Sequence, residues 1–251
     1  MTALRRSGSC IVCGGGPTVR SHLFPRSLVR RIRGTDKHVI EGDCSRSGVR
    51  LTQGGLWDDQ LLCEAHEGSL GAPDDYAVRF CRRFDKSAVL SPTGNSYSAP
   101  NPRPDLLLKF ACSTIWRHVA SKHGRVHGLT LGPYRQRFED HLFEGTSLVL
   151  ETLIGRSNLT DPSGQRIEVG IAPYKQKLMD WTIWTFTIGG FDFYVKLDQR
   201  PFPIAWKPFL LNDNNPVVLP LVDGLPLHEI SKFQPIFAQM VRPIDAGRRN
   251  R

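Results

Sequence analysis

The sequence of 251 residues predicts an α+β fold, in which a metal-binding N-terminal domain precedes a C-terminal domain that mixes helices and strands around a β-hairpin. Two pairs of metal-type ligands lie in the first seventy residues. Tyr76, Phe80 and Phe84 recur every four residues, which is typical of a helix with one buried face. Apolar residues alternate with polar ones across Trp181–Asp198, and Gly189-Gly190 between the two halves predicts a two-residue hairpin turn.

The ligand pairs come first along the chain and share one spacing. Cys10 and Cys13 are separated by two residues and followed by three glycines, which permit a sharp turn at low steric cost. Cys63 and His66 repeat the spacing about fifty residues later, after an apolar dipeptide that suits the end of a strand. Three cysteines and one histidine predict a closed site for a structural Zn²⁺ ion. The CxxC spacing of the first pair leaves a thiol-exchange role as the alternative.

Between the two pairs, the sequence predicts a short strand over Thr18–Phe24 that ends at Pro25. A short helix is expected over Arg26–Arg33, because its apolar and basic residues fall on different faces and Gly34 follows as a stop signal. Two weaker strand patterns come next, at Lys37–Ile40 and Gly48–Gln53.

A domain boundary is predicted at 91–104, a stretch rich in Pro, Ser and Asn that is typical of a linker. Residues 1–90 then form the metal-binding domain, and residues 105–251 form the α+β domain, to which the sequence assigns no role. The further elements predicted are helices from Pro73, from Asp105 to about Lys122 and from Pro133, a segment ambiguous between helix and strand at Ser147–Ile154, a strand at Val217–Val222, and a helix or irregular segment at Leu227–Met240.

Positive charge is concentrated near the N-terminus. The formal net charge is +9, and residues 1–50 contain ten Lys or Arg against three acidic residues. Such an asymmetry favours an anionic partner, most often nucleic acid. Solubility, or contact with an acidic protein partner in a larger complex, is the alternative that charge leaves open.

Cysteine use and hydropathy indicate a cytoplasmic protein. Two of the six cysteines stand in a CxxC pair, which indicates metal binding rather than disulfides, and Cys81 and Cys112 lie in helical patterns as buried thiols. The N-terminus lacks the apolar core of an export signal. No stretch reaches the roughly 20 apolar residues of a membrane span, so no membrane contact is expected.

Five short motifs mark the first half of the chain: Cys10-Ile11-Val12-Cys13, Ser21-His22-Leu23-Phe24-Pro25, Gln53-Gly54-Gly55, Leu61-Leu62-Cys63-Glu64-Ala65-His66-Glu67 and Trp116-Arg117. Together they resemble the zinc-rimmed treble-clef version of the HNH (ββα-metal) nuclease fold. They are more similar still to uncharacterised bacterial proteins with the same order of CxxC, Ser-His-x-x-Pro, Gln-x-Gly, a Cys-x-x-Cys-Glu motif and a later Trp-Arg.

The resemblance implies a treble-clef fold for residues 1–90 and an HNH-type nuclease that acts on nucleic acid, in a bacterial defence or mobile-element system. By this resemblance, His22 is the general base that takes a proton from the attacking water, and a Mg²⁺ or Mn²⁺ ion steadies the departing oxygen. Glu64 and Glu67 are the candidate ligands of that second ion. The arginines expected to hold the nucleic-acid backbone are Arg20, Arg26, Arg30, Arg31 and Arg33.

A second interpretation stays open beside the nuclease. The family usually has an Asp or His ligand before the base, where this chain has Ser21, and its middle Asn has no counterpart, because the chain contains no Asn before Asn95. A non-catalytic zinc module would need neither residue. It would bind nucleic acid or a protein partner, with His22 hydrogen-bonded to a backbone carbonyl.

Overall fold

The computed structural model describes residues 8–34, 39–43, 48–158, 168–178, 180–211 and 216–222. The segment predicted as a helix or irregular structure at Leu227–Met240 lies outside these residues. None of the helices in the described ranges has the length and apolar character needed to cross a membrane.

Helices occupy the middle of the chain and one position near its start. The helix Pro104–Ala120 begins with a proline and an aspartate. The missing N–H of Pro104 costs no hydrogen bond, because N–H groups in the first turn have no partner within the helix, and the carboxylate of Asp105 lies at the positive end of the helix dipole. Gly34 ends the first helix at a φ of 55°, which favours glycine. The helices of the described residues are α1 (Arg26–Arg33), α2 (Glu64–Ser69), α3 (Gly71–Ser87), α4 (Pro104–Ala120), α5 (Lys122–Val126) and α6 (Arg135–Phe143).

The strands form one two-stranded ribbon and one large mixed sheet. The strands of the described residues are β1 (Thr18–His22), β2 (Val39–Asp43), β3 (Gly48–Thr52), β4 (Trp57–Cys63), β5 (Val89–Leu90), β6 (Ser96–Ala99), β7 (Thr152–Ser157), β8 (Gly170–Leu178), β9 (Trp181–Ile188), β10 (Phe191–Lys196) and β11 (Val217–Val222). The ribbon pairs β1 with β4, and the nine-stranded sheet has the order β3-β2-β8-β9-β10-β7-β11-β6-β5. Its neighbours are antiparallel except β2 with β8 and β11 with β7.

The predicted hairpin is confirmed as β9 and β10. Gly189 and Gly190 form the turn at φ values of 61° and 79°, and a two-residue hairpin of this kind requires such angles. Phe186 and Phe193 face each other across the strands, with parallel rings whose centroids are 4.7 Å apart. The hairpin therefore gives the sheet a wide apolar face for helices to cover.

Other parts of the sheet differ from the sequence-based expectation. Only the last three residues of the ambiguous segment Ser147–Ile154 lie in β7 (Thr152–Ser157), all six residues of which are buried, and residues 147–151 are in neither helix nor strand. A strand buried on both faces has no alternation to detect, which explains the ambiguity. The sequence also missed β8. The stretch predicted as a linker, 91–104, contains β6, which pairs with β5 and β11.

One hydrophobic core joins the early motifs to the hairpin. From α3, Phe84 meets Phe191 edge to face at 4.9 Å between ring centroids, and from α4, Phe110 meets Phe193 at 5.4 Å. Phe24, two residues after the end of β1, packs against Phe186 of the same hairpin with 6.0 Å between the ring centroids. Strands β2 and β3 also extend the sheet that the C-terminal half builds. The metal-ligand region is therefore anchored on the main sheet.

Candidate metal centre and adjoining cleft

The β1–β4 ribbon positions both candidate sites. Its antiparallel register pairs Thr18 with Cys63 at one end and His22 with Trp57 at the other. Four residue steps at about 3.4 Å each separate these pairs by roughly 14 Å. The ribbon therefore carries the predicted metal ligands at one end and the predicted base at the other.

A tight turn presents the first ligand pair. The N–H of Cys10 donates to the carbonyl of Gly15 at 2.7 Å, and the N–H of Gly14 donates back to the carbonyl of Cys10 at 2.8 Å. Gly14 has a φ of 70°, which a residue with a side chain rarely adopts, so this glycine allows the turn. Ile11 donates to the carbonyl of Leu61 on β4, and this bond brings the first pair against the second.

The structure brings the four predicted ligands together. The Sγ atoms of Cys10, Cys13 and Cys63 and a ring nitrogen of His66 all lie within 4.8 Å of one another. Cys63 Sγ is 3.1 Å and Cys10 Sγ is 3.6 Å from His66 Nδ1, and the Sγ atoms of Cys13 and Cys63 are 4.0 Å apart. Zn–S bonds of about 2.3 Å in a tetrahedron place sulfurs about 3.8 Å apart. The cluster can hold a metal ion, and its donors and spacing fit structural zinc.

The surroundings of Cys10 favour its thiolate form. Burial alone would raise the pKa of Cys10, but backbone N–H groups of Cys13, Cys63 and Val12 point at its sulfur and lower the pKa overall. His66 is held by a T-shaped contact with Phe143 of α6, at 5.2 Å between ring centroids. Partners of this kind fix the orientation of metal ligands.

The other end of the ribbon borders an open cleft of about 570 Å³, which we call the arginine cleft. Strand β1 contributes Arg20 and His22, which point to the same face because they are two residues apart. Helix α1 contributes Arg26 and Arg33. Trp57 at the start of β4 and residues 52–56, which connect from the end of β3, complete the wall. The cleft thus unites the Ser-His-x-x-Pro and Gln-x-Gly motifs, which are about thirty residues apart in sequence.

The charged side chains that line the arginine cleft are all positive. Within the described part of the chain, no Asp or Glu lines it, and no carboxylate forms an ion pair with Arg20, Arg26 or Arg33. Arg33 donates from Nη1 to the carbonyl of Gln53 at 2.9 Å, which joins the end of α1 to the opposite wall. Side chains of one charge around a concave surface concentrate the field there and attract anions.

His22 is half-buried and lines this cleft. Burial lowers its pKa below the ordinary 6.5, and the positive charges of Arg26, Arg20 and Arg117 lower it further. The imidazole is therefore neutral at pH 7. Its lowered pKa also reflects the positive potential of the cleft.

The other two predicted arginines point elsewhere. Arg30 is exposed on α1 but does not line the cleft. Arg31 turns toward the sheet, where it binds both carboxylate oxygens of Glu168 at 3.1 and 2.9 Å and contacts Asp85 at 3.1 Å. These hydrogen bonds outweigh burial and raise the pKa of Arg31. Arg31 therefore stabilises the contact between α1, α3 and the chain before β8.

Glu64 and Glu67 lie on α2 and do not line the arginine cleft. Glu64 is exposed, and Glu67 faces Arg117 with 3.9 Å between Oε1 and Nη2. Burial raises the pKa of Glu67, although Arg117 opposes the shift. Among the residues whose positions are described, the three cysteines and His66 form the only group of three or more side chains that could hold a metal ion. A Mg²⁺ or Mn²⁺ site therefore finds no support in the described side chains.

Sequence reasoning gave no role to two residues near the site. Trp57 lines the cleft, and its only sequence signal was a large apolar residue at the start of a strand. Asp74, in the helix predicted from Pro73, accepts two hydrogen bonds of 3.2 and 2.9 Å from the buried Arg117. The predicted buried thiols Cys81 and Cys112 are confirmed, and burial raises the pKa of Cys81 to about 12.

Comparison of the chain with models of known protein families, with curated proteins and with solved structures found no match. The likeness to HNH nucleases therefore depends on the short motifs alone. The structure adds the Cys/His cluster and the arginine cleft, and functional inference has to start from these two features.

Proposed function

We propose that the protein binds nucleic acid in the arginine cleft, and that a structural zinc ion at the other end of the β1–β4 ribbon stabilises the cleft. The single observation that carries the proposal is a concave surface with three arginines and no carboxylate among its described residues. Guanidinium groups match phosphate oxygens in geometry and charge, and the backbone of a nucleic acid supplies a row of such phosphates.

Zinc supports this function by fixing the ribbon. Cys63 ends β4, Trp57 begins it, and β1 pairs with it along its length, so an ion held at Cys63 restrains the strand pair that carries Arg20 and His22. We propose that the two ligand turns, the ribbon and α2 make up a treble-clef module. The short sequence between residues 8 and 22 packs few apolar side chains of its own, which is the situation in which metal ions replace core contacts.

Salt dependence of binding tests the proposal. The double variant Arg20→Gln/Arg26→Gln should bind nucleic acid more weakly than the wild type. Its plot of log affinity against log salt concentration should have a slope smaller in magnitude by about 1.8 on duplex DNA and by about 1.4 on a single strand, because each lost phosphate contact removes about 0.9 or about 0.7 from the slope, respectively. Fluorescence anisotropy across a series of salt concentrations measures both quantities.

Arg30→Gln is the matched control for this experiment, because Arg30 lies on the same helix as Arg26, is exposed, and does not line the cleft. Its affinity and salt slope should stay close to those of the wild type. Equal losses in the control and the double variant would contradict a role for the cleft. Unchanged affinity in the double variant would place nucleic-acid binding outside the cleft, and a wild type that binds no nucleic acid would favour an acidic protein partner.

We propose phosphodiester hydrolysis with His22 as general base as the second candidate function. The observation that favours it is a neutral imidazole on the wall of a cleft suited to phosphates. It ranks second because the described cleft residues include no carboxylate to hold a divalent ion. His22 would accept the proton of the attacking water, and the arginines would hold the phosphate.

A cleavage assay with supercoiled DNA and with RNA, in the presence of Mg²⁺ or Mn²⁺, tests this second candidate. The wild type should cut, and His22→Ala should lose activity by at least about 100-fold while it keeps its zinc content and its affinity. The rate should be flat above pH 7, because the pKa of His22 lies below 6.5 and the base is already deprotonated there. A wild type that cuts neither substrate would eliminate the candidate, and cutting by His22→Ala would remove His22 from the mechanism.

A further inference from the structure

Trp57 is an indole left open to solvent at the rim of the arginine cleft. Its exposed fraction is 42%, whereas Trp116 and Trp184 are 1% and 0% exposed in the core. The ring of Trp57 lies opposite His22 in the ribbon register and lines the same cleft as the arginines.

Arg20 adds a positive charge directly at this ring. Its guanidinium carbon is 4.3 Å from the centroid of the indole, a cation–π contact that holds the two side chains together. The guanidinium covers one face of the indole, so a base would stack on the opposite face of the ring or on the planar guanidinium itself. Surfaces that combine a cationic groove with aromatic platforms are typical of binding sites for single strands.

The pairing state of the nucleic acid decides whether such a stack can form. In a duplex, each base is stacked on its neighbours and shows only its edges in the grooves, so a side chain on a protein surface cannot reach its face. An unpaired base exposes its face and can lie on an aromatic ring.

We infer that the arginine cleft selects single-stranded nucleic acid, with an unpaired base stacked on Trp57 and the adjoining phosphates held by Arg20 and Arg26. This inference rests on the proposed nucleic-acid binding and names its substrate class. It assigns discrimination between single and double strands to Trp57, the side chain on which Arg20 packs.

Binding of three labelled probes tests the inference: oligothymidylate, oligouridylate and a DNA duplex of the same length. The wild type should bind the single strands more tightly than the duplex. Trp57→Leu, which keeps an apolar side chain without a ring, should lose about 5- to 150-fold in affinity for single strands, the effect expected for one stacked base. Its affinity for the duplex should not change. Trp57→Phe should recover most of the single-strand affinity, and bound zinc should stay at the wild-type level in both variants.

The outcomes separate this inference from the proposed function. A wild type that binds all three probes, with Trp57→Leu unchanged on single strands, would overturn the stacking role and leave the cleft as a duplex or backbone site. Equal losses on single strands and duplex would show that Trp57 only supports the shape of the cleft, which also overturns the inference. A wild type that binds none of the probes would overturn the proposed function and this inference together.

Discussion

Cys63→Ser should abolish binding of the proposed zinc ion and unfold the ligand region. Structural zinc contributes about 10–16 kcal/mol to the folding of small zinc modules, and serine cannot replace a thiolate ligand. Because β4 ends at Cys63 and β1 pairs with it, the loss should spread along the ribbon to His22. We expect metal content to fall from one zinc per chain to none, amide exchange in residues 8–24 and 57–70 to accelerate, and affinity for nucleic acid to fall with it.

Cys81→Ala is the matched control, since Cys81 is a buried thiol outside the cluster. It should keep full zinc content and normal amide exchange in the ribbon, with at most a small loss of stability from the smaller side chain. Elemental analysis measures the zinc content, and hydrogen exchange followed by mass spectrometry measures the protection of the ribbon amides. Wild-type protein without a bound transition metal, or a metal-free Cys63→Ser whose ribbon stays protected, would contradict the proposed role of zinc.

Arg117→Leu should destabilise the fold strongly. Arg117 is 1% exposed, and its guanidinium is the counterion of Asp74 on α3 and of Glu67 on α2. Removal of one partner from a buried ion pair costs about 3–5 kcal/mol, because the remaining charge is left without compensation. The side chain of Asp74 is 17% exposed, so water can still solvate part of its charge. We therefore expect a loss of about 3 kcal/mol in the free energy of unfolding, at the lower end of this range. Urea unfolding, followed by circular dichroism, measures the change in free energy.

Two further variants test the cause of this loss. Arg103→Leu removes the exposed partner of Asp105, a pair with hydrogen bonds of 3.0 and 2.7 Å, and should change stability little because solvent screens both charges. Asp74→Asn combined with Arg117→Leu should recover part of the stability, because no full charge is then left buried at position 74. If the double variant were as unstable as Arg117→Leu alone, lost packing around the arginine would explain the effect instead.

Local signals in the sequence predicted several elements well. Helix α1 has the predicted bounds Arg26–Arg33, and β11 has the predicted bounds Val217–Val222. Proline before α1 and glycine after it act on the backbone within one or two residues, so their effect does not depend on the rest of the fold. The Gly189-Gly190 turn was equally visible, because its φ angles and the alternation around it are properties of a short segment.

The site was predictable only in part, for a related reason. The spacing of Cys10 with Cys13 and of Cys63 with His66 identified the ligand cluster, since each pair lies within one turn and two such pairs suit one ion. The arginine cleft could not be predicted from the sequence. Its walls come from β1, α1 and residues 52–57, and Trp57 enters it only because the ribbon register places that residue opposite His22.

The arginines of α1 show most clearly what could not be predicted from the sequence. The sequence by itself determined that the N-terminal region is basic, that four ligands can meet at one metal ion, and that α1 has a basic surface. Only the tertiary structure decided that Arg26 and Arg33 line a cleft while Arg31, on the same helix, pairs with Glu168, which is 137 residues away. Helical periodicity fixes which residues share a face, but the element packed against that face decides whether a charge is neutralised or left for a ligand.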